Sequence, residues 1–170
     1  MFLRAKKTEK GFSLVEILVV LAIAGAITLI GLPALVSQMS HIRLKRSARD
    51  VATEINYARV NAITRNTKYR VDFTLNAGST PDTMGMSVYS GGAWGADATR
   101  AARAMEAGID ITSPGASFGV YFYPNGISSN ADNATSTDSS ICLNNTAKAN
   151  DRMKVNVFGS TGRVDIQTGC

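Results

Sequence analysis

Gly11-Phe12-Ser13-Leu14-Val15-Glu16, with the apolar run that continues from it to Val36, decides the fold of this 170-residue chain. From Phe12 to Val36 there are 25 residues, and Glu16 is the only charged one. A helix of that length measures roughly 37 Å at about 1.5 Å per residue, against the roughly 30 Å of a bilayer's hydrocarbon core. The run is long enough to span a membrane. A carboxylate inside such a span costs on the order of 2.5–3.5 kcal/mol even on insertion scales, so Glu16 requires compensation. Two readings of it are open, and neither excludes the other. Ser13 and Glu16 have the spacing of a capping box, in which the glutamate reaches back to the capping residue. Alternatively, Glu16 neutralises a positive group supplied by another copy of the chain.

Beyond Val36 the helical period continues with a different character. Leu44, Ala48, Val51, Ala52, Ile55, Ala58, Ala62 and Ile63 fall mostly three and four apart, which makes one apolar stripe on a water-exposed helix. Arg43, Lys45, Arg46, Arg49, Asp50, Glu54 and Arg59 lie elsewhere on it. One long helix is expected from about Ser13 to Thr64. Pro33 removes a hydrogen bond and Gly25 and Gly31 weaken the helix, so a bend is expected near Gly31–Pro33.

From Lys68 the period changes to two. Tyr69, Val71, Phe73 and Leu75 alternate with Lys68, Arg70, Asp72 and Thr74, as in a half-buried strand. Further strands are expected at 84–89, 109–112, 118–123, 140–143, 153–158 and 162–167, with 97–107 a short helix or an ordered loop. The stretch 128–140 (SSNADNATSTDSS) is almost free of apolar residues and reads as a mobile surface loop. The fold class is α+β: a long N-terminal helix, transmembrane and then amphipathic, packed on an antiparallel β-sheet head.

Charge sets the topology. The net charge is +5, of which residues 1–11 carry +3 through Arg4, Lys6, Lys7 and Lys10 against Glu9. Positive charge before the span keeps the leader cytoplasmic and sends everything after Val36 outward. Residues 41–70 hold eight basic and two acidic residues, and residues 71–170 six basic and nine acidic. The head is therefore not basic, and the high pI is weak support for nucleic-acid binding. A conventional secretory signal is the competing reading. Its apolar core runs to about 7–15 residues and ends at an A-x-A-like site; this run is longer, and Ala34-Leu35-Val36 is a poor site.

Lys10 to Glu16, the basic leader before it and Pro33 down the run resemble the class III signal of type IV pilins and type II secretion pseudopilins. The resemblance implies cleavage after Gly11 by a prepilin peptidase and methylation of the new N-terminal amine on Phe12. It also implies that Glu16 pairs with the amine of a neighbouring subunit during assembly. A second resemblance covers the head. Glu54-Ile55-Asn56-Tyr57-Ala58-Arg59-Val60-Asn61-Ala62-Ile63-Thr64-Arg65, Phe122-Tyr123-Pro124-Asn125-Gly126 and the tail 155–170 are similar to the GspH/FimT family of minor pilins and pseudopilins. Cys142 and Cys170 both fall in the exported part, where an oxidising compartment would join them. They lie 28 residues apart, a loop for which closure is worth about 3–4 kcal/mol, and the pair resembles the pilus branch of the family.

These readings divide the chain into a leader (1–11), a transmembrane and assembly helix (12–36), an amphipathic stem (37–66) and a periplasmic head (67–170). The function they imply is a structural subunit at the tip or priming complex of a type IV pilus. The alternative is a minor pseudopilin of a type II secretion system. The expected partners are other subunits, the prepilin peptidase and the inner membrane. A DNA-binding subunit is the other open reading: some family members carry a Gly-Arg-x-Arg tail implicated in DNA uptake, and here Arg152, Lys154 and Arg163 are the candidate contacts. The motif at Gly162-Arg163-Val164-Asp165 ends in an aspartate, which repels phosphate. No enzyme, metal or cofactor is expected. The single histidine, His41, stands far from both cysteines, and Asp132 and Asp138 fit no EF-hand spacing.

Overall fold

The structure is a computed structural model that describes residues 12–77 and 80–170, the side chains of 29–37 excepted. The leader, with Gly11, lies outside the described residues. Compactness divides the chain into two units, residues 1–38 and Met39–Cys170.

Helix α1 runs from Leu14 to Thr64, 51 residues without an interruption in its assignment. The expected bend falls on Pro33, whose side chain is among those not described. In the first unit the described side chains, 12–28, are exposed on every side, because an apolar run of this kind has no partner within one copy.

In the second unit α1 becomes one-sided. Leu44, Ala48, Val51, Ile55, Ala58 and Ala62 have no exposure at all, as their three-and-four spacing requires. Ile63 departs from the stripe at 44% exposed. Full burial of residues such as Leu44, Val51 and Ile55 stabilises by about 1.5–3 kcal/mol each. The helix stops at a left-handed Asn66 (φ 49°). Thr67 N donates to Ala62 O (3.2 Å) and Asn66 N to Ile63 O (3.4 Å), the paired bonds of a Schellman ending.

Among the described residues ten strands follow in two antiparallel sheets. The first has the order β3-β2-β1-β6-β7, with β1 at Tyr69–Thr74, β2 at Thr83–Ser90, β3 at Ala93–Ala96, β6 at Phe118–Phe122 and β7 at Ser128–Ser129. The two-residue β4, Arg103–Ala104, pairs with Thr83 and Met84 of β2. Residues 97–107 are thus an ordered loop rather than a short helix. The second sheet has the order β10-β9-β8-β5, with β5 at Ile109–Ser113, β8 at Ser139–Asn145, β9 at Arg152–Val157 and β10 at Val164–Thr168. Tyr69, Val71 and Phe73 point inward and share one core with the helix stripe, with Val120 and Phe122 of β6, and with Ile141, Leu143 and Val155 of the second sheet. Cys142 and Cys170 are joined, so β8 holds the last residue of the chain.

Among the described residues, bonds at Asp82 and at Ser128, whose Oγ also donates to Phe158 O (3.3 Å), stitch the sheets together. Buried Asp82 accepts from Ile111 N of β5 and from Asn76 N (2.8 Å each). Ser128 N donates to Gly159 O (2.8 Å). At that junction a Cβ on Gly159 would stand 2.5 Å from the Thr137 backbone, so only glycine fits. The stretch 128–140 is correspondingly less free than its composition suggests. Ser128 and Ser129 are fully buried, and Thr137 N returns to Ser128 O (3.0 Å).

Glu54 belongs to the core side of the helix and not to its solvated face, at 6% exposed. Arg100 reaches it with two bonds, Nη2 to Oε1 (2.8 Å) and Nε to Oε2 (3.2 Å), while its guanidinium lies 4.2 Å from the Tyr57 ring centroid. A fork of this kind fixes orientation as well as energy. Removing one partner leaves the other charge in a poor solvent. Glu54→Ala is therefore expected to lower stability by about 3 kcal/mol, the lower end for a broken buried pair because Arg100 is partly exposed, as read by urea unfolding of the disulfide-intact chain.

Candidate functional site

Two parts of the molecule carry chemistry that the core does not use: the exposed start of α1 and the outer face of the first sheet.

At the start of α1, Ser13 O accepts from Glu16 N (3.0 Å) and Ile17 N (3.3 Å), which opens the helix. Phe12 is 81% exposed, Leu14 75%, Leu21 62% and Ile27 66%; such an apolar surface, covered on no side, is a binding surface. The one polar side chain of its far end is internally satisfied, since Thr28 Oγ1 donates to Ala24 O (2.7 Å). Glu16 is not. Among the described residues its carboxylate has neither a hydrogen bond nor an ion pair, and the capping box with Ser13 is unformed. Among the described residues no helix is long and apolar enough to cross a membrane; the described apolar side chains end at Thr28, short of the full run to Val36.

On the first sheet, alternation turns Lys68, Arg70 and Asp72 away from the core. Asp132, from the 128–140 stretch, is the hub beside them. Lys68 Nζ donates to Asp132 Oδ1 (2.9 Å), Trp94 Nε1 to Oδ2 (2.9 Å) and the Tyr123 hydroxyl to Oδ1 (3.2 Å). Trp94 meets Tyr89 and Tyr121 edge-on at 5.4 and 5.5 Å, and the Arg70 guanidinium lies 4.9 Å from the Trp94 ring. The Lys68 hydrogen bond, then that from Trp94, holds the Asp132 carboxyl below its ordinary range. The same bond to Asp132 raises Lys68, against the opposing effect of burial. An acid that accepts three bonds, one of them from a lysine, is a structural hub whose charge is already answered within the fold. Asp138 is likewise engaged, accepting from Gly159 N (2.7 Å). Among the described residues no cluster of three or more metal-binding side chains occurs.

The three residues considered for DNA are not brought together. Arg152 and Lys154 share the outer face of β9, where Lys154 lies opposite Gln167 and Cys142. Arg163 precedes β10, with its guanidinium 5.1 Å from the Phe158 ring. Arg152 opens β9 and Phe158 follows its last residue, Val157, on the order of 20 Å away at strand rise. Asp165 adjoins them and accepts from Gln167 Nε2 (3.0 Å). Cations strung out in this way and interrupted by an acid do not track a phosphate backbone.

Sequence reasoning missed β3 and with it Trp94, although the signal was present: Gly91-Gly92 has positive φ at both positions, the two-residue hairpin turn that returns a strand at once. It also left His41 without a role. His41 Nδ1 donates to Asp151 Oδ1 (2.7 Å), a tie between helix and β8–β9 turn that no local pattern announces. Asp151 is held below its ordinary range: burial pushes it up, and the bonds from Asn145 and His41 outweigh that.

Comparison with known proteins agrees with this architecture. Residues 6–32 match the prokaryotic N-terminal methylation motif, and residues 47–161 match the family described as type II transport protein GspH. No curated protein matches in sequence. Among solved structures, the type IV minor pilin FimU of Pseudomonas aeruginosa is similar in one crystal form at 15% identity, covering 73% of this chain and 92% of that one with a TM-score of 0.54. A second crystal form gives 16% identity, 73% and 87% coverage, and a TM-score of 0.55. The minor pseudopilin EpsH of the Vibrio cholerae type 2 secretion system gives 10% identity, 74% and 97% coverage, and a TM-score of 0.54.

Trp94 is the chain's one tryptophan, so its emission reports on the Asp132 hub. A depressed carboxyl stabilises the fold above its unfolded pKa, about 3.9, and that contribution is lost as pH falls through the folded value; a raised lysine contributes below about 10.4 and is lost as pH rises through its folded value. Trp94 emission is thus expected to be flat between about pH 4 and 10 and to shift in acid with a midpoint below about 3.9. Asp132→Asn should remove the acid step in a fluorescence titration.

Proposed function

This chain belongs to the GspH family, and from that premise we propose that it is a minor pilin or pseudopilin, a non-catalytic subunit that assembles through its N-terminal helix. The pilus reading is preferred, with the subunit at the tip or priming complex; a minor pseudopilin of type II secretion is the alternative. In this reading a prepilin peptidase cuts after Gly11 and methylates Phe12. The run 12–36 first anchors the subunit in the inner membrane, with the head in the periplasm. It then leaves the lipid to pack against the same run of neighbouring subunits.

The observation that carries the reading is the unpartnered Glu16 in an apolar surface exposed on all sides. Apolar packing alone drives association without choosing a register. A carboxylate moved into a dry bundle without a partner costs several kcal/mol, and a well-placed α-amine beside it offsets that cost in part. The Phe12 amine, created by cleavage four residues before Glu16, is the cation that such a neighbour has to offer. The match to the N-terminal methylation motif over residues 6–32 supports the same processing.

Glu16→Ala is expected to leave the chain inserted and cleaved while its incorporation into fibres falls by at least about tenfold, the equivalent of about 1.4 kcal/mol. Quantitative immunoblotting of sheared fibres against the membrane fraction reads this out, and undiminished incorporation would overturn the pairing role. Intact mass of the mature chain is expected to show an N-terminal methylated Phe12. A chain beginning beyond residue 36 would overturn the whole reading.

A further inference from the structure

The head answers His41, Asp50 and Glu54 of α1 with opposite charges, but it does not answer Arg59. The stem of that side chain is clamped where two turns meet. A Cβ on Gly162 (φ 61°) would stand 2.7 Å from Gly126 O, 2.8 Å from Arg59 Cδ and 2.9 Å from Arg59 Nε. Glycine at 162 is thus what lets Arg59 pass between the turns. Its Nε is shut off from water and has no hydrogen-bond partner, and among the described residues the guanidinium makes no ion pair. Beside it lie the exposed Val60 and Ile63, the latter one turn along on the same face, and the exposed Arg163, also without an ion pair among the described residues. A fixed arginine among exposed apolar side chains is the kind of group on which protein interfaces concentrate their binding energy.

The opposite charge stands unanswered at the other end of the sheets. Asp110 of β5 is half-buried, and among the described residues it has no hydrogen bond and no ion pair. It separates two open recesses of about 410 and 310 Å³, one reaching Asn76 and Thr112, the other Pro81 and Thr146. Burial first, and then the neighbouring Asp82, push its carboxyl up, a condition that an incoming cation relieves. Within one copy the two groups do not meet. Asp110 lies opposite Asn144, and Asn144 opposite Arg152 at the start of β9. Arg59 touches Gly162, beyond the far end of β9, on the order of 20 Å away at strand rise.

We propose that Arg59, with Ile63 and Arg163 beside it, docks against Asp110 of a second copy, so that heads stack one on the next. The proposal rests on the reading of the chain as an assembling subunit and names a second copy as its partner at the head. Charge complementarity identifies the occupant: each end of the head carries a charge that its own fold leaves unanswered, and the two are of opposite sign. The recesses beside Asp110 are open and admit an arginine side chain. The two patches differ, so the contact is heterologous, and each copy keeps one end free for the next. A two-fold pair would instead set Arg59 against Arg59, or Asp110 against Asp110, and like charges repel. A row of heads that extends without closing is the geometry a fibre subunit requires.

The test uses full chains in detergent micelles, one carrying Arg59→Glu and the other Asp110→Lys. The two are mixed and treated with a carbodiimide, which joins a carboxylate to an amine as an amide with loss of water, and linked peptides are read by mass spectrometry. Neither chain alone holds a carboxylate and an amine at the two positions, so a link from 59 to 110 forms only between copies. Its yield is expected to exceed the links from position 110 to Asp138 or Asp165 by at least about tenfold, the equivalent of about 1.4 kcal/mol, and to fall in high salt. Arg59→Lys keeps the charge and is expected to link to Asp110 of another copy without a second variant. It serves where Trp94 emission shows that a charge reversal has disturbed the head. No link in either preparation overturns the contact, and so do equal yields at Asp110, Asp138 and Asp165, which mean random collision. The detergent-solubilised chain needs neither cleavage nor Glu16, so a missing link leaves the assembly reading standing. Normal fibre incorporation of Glu16→Ala, in turn, overturns the amine pairing and leaves this contact in place.

Discussion

One stripe of small and branched side chains, from Leu44 to Ala62, sealed by two sheets at once, is the contact on which the rest of the head depends. Among the described residues the sheets share few bonds with each other: Asp82 to β5, and Ser128 to Gly159 and Phe158. What keeps them together is that both need the same helix to bury their inner faces. Alanine at 48, 52, 58 and 62 lets the strands approach, and Leu44, Val51 and Ile55 fill the space between. Burial of this kind has little directional preference. The Glu54–Arg100 fork and the His41–Asp151 tie supply direction, fixing where along the helix each sheet sits.

The charges sort themselves by what they face. Toward the head they are paired: Glu54 with Arg100, His41 with Asp151, Lys68 with Asp132. On the outer face of the first sheet pairing goes further, because the Lys68–Asp132 hydrogen bond, joined by that from Trp94, holds the two groups at shifted proton affinities beside the Tyr89 ring. Toward the start of the chain pairing stops. Arg43, Lys45 and Glu16 have no partner among the described residues. All three are exposed, so water solvates them in a single copy, and leaving them unpaired becomes costly only where a partner's surface excludes that water. The unpaired set therefore marks the surfaces that look outward.

Much of this architecture was legible in the chain itself, and the parts that were not share a physical cause. The helix stripe and β1 follow from periodicity alone, since a buried face must repeat with the element that carries it. Glu54 read as solvated because carboxylates usually are. Its burial depends on Arg100, 46 residues away in a loop with no pattern of its own. Residues 128–140 read as mobile because polar composition normally has nothing to bury. In fact Asp132 and Asp138 spend their oxygens on Lys68, Trp94 and Gly159, partners far off in sequence. Trp94 was lost for a different reason: the strand expected at 84–89 was not carried on through the Gly91-Gly92 hairpin. Of the candidate sites, Glu16 was singled out by chemistry alone as the one charge in a run of 25, whereas the separation of Arg163 from Arg152 required strand register.

The contrast between the two halves of α1 also explains how one helix serves two kinds of packing. A stripe that is apolar on one side has a defined partner and a defined rotation, and the head uses it once, permanently. A run that is apolar all round has neither. It is as stable in lipid as among identical helices, because hydrocarbon and leucine offer it nearly the same surroundings. Transfer between the two is then close to balanced, and a single charge is enough to tip it. In the assembly proposed above, Glu16 in lipid would have only the membrane boundary to turn to, whereas a bundle of processed subunits would bring it an amine. The carboxylate would then make the membrane the poorer of two otherwise equivalent solvents.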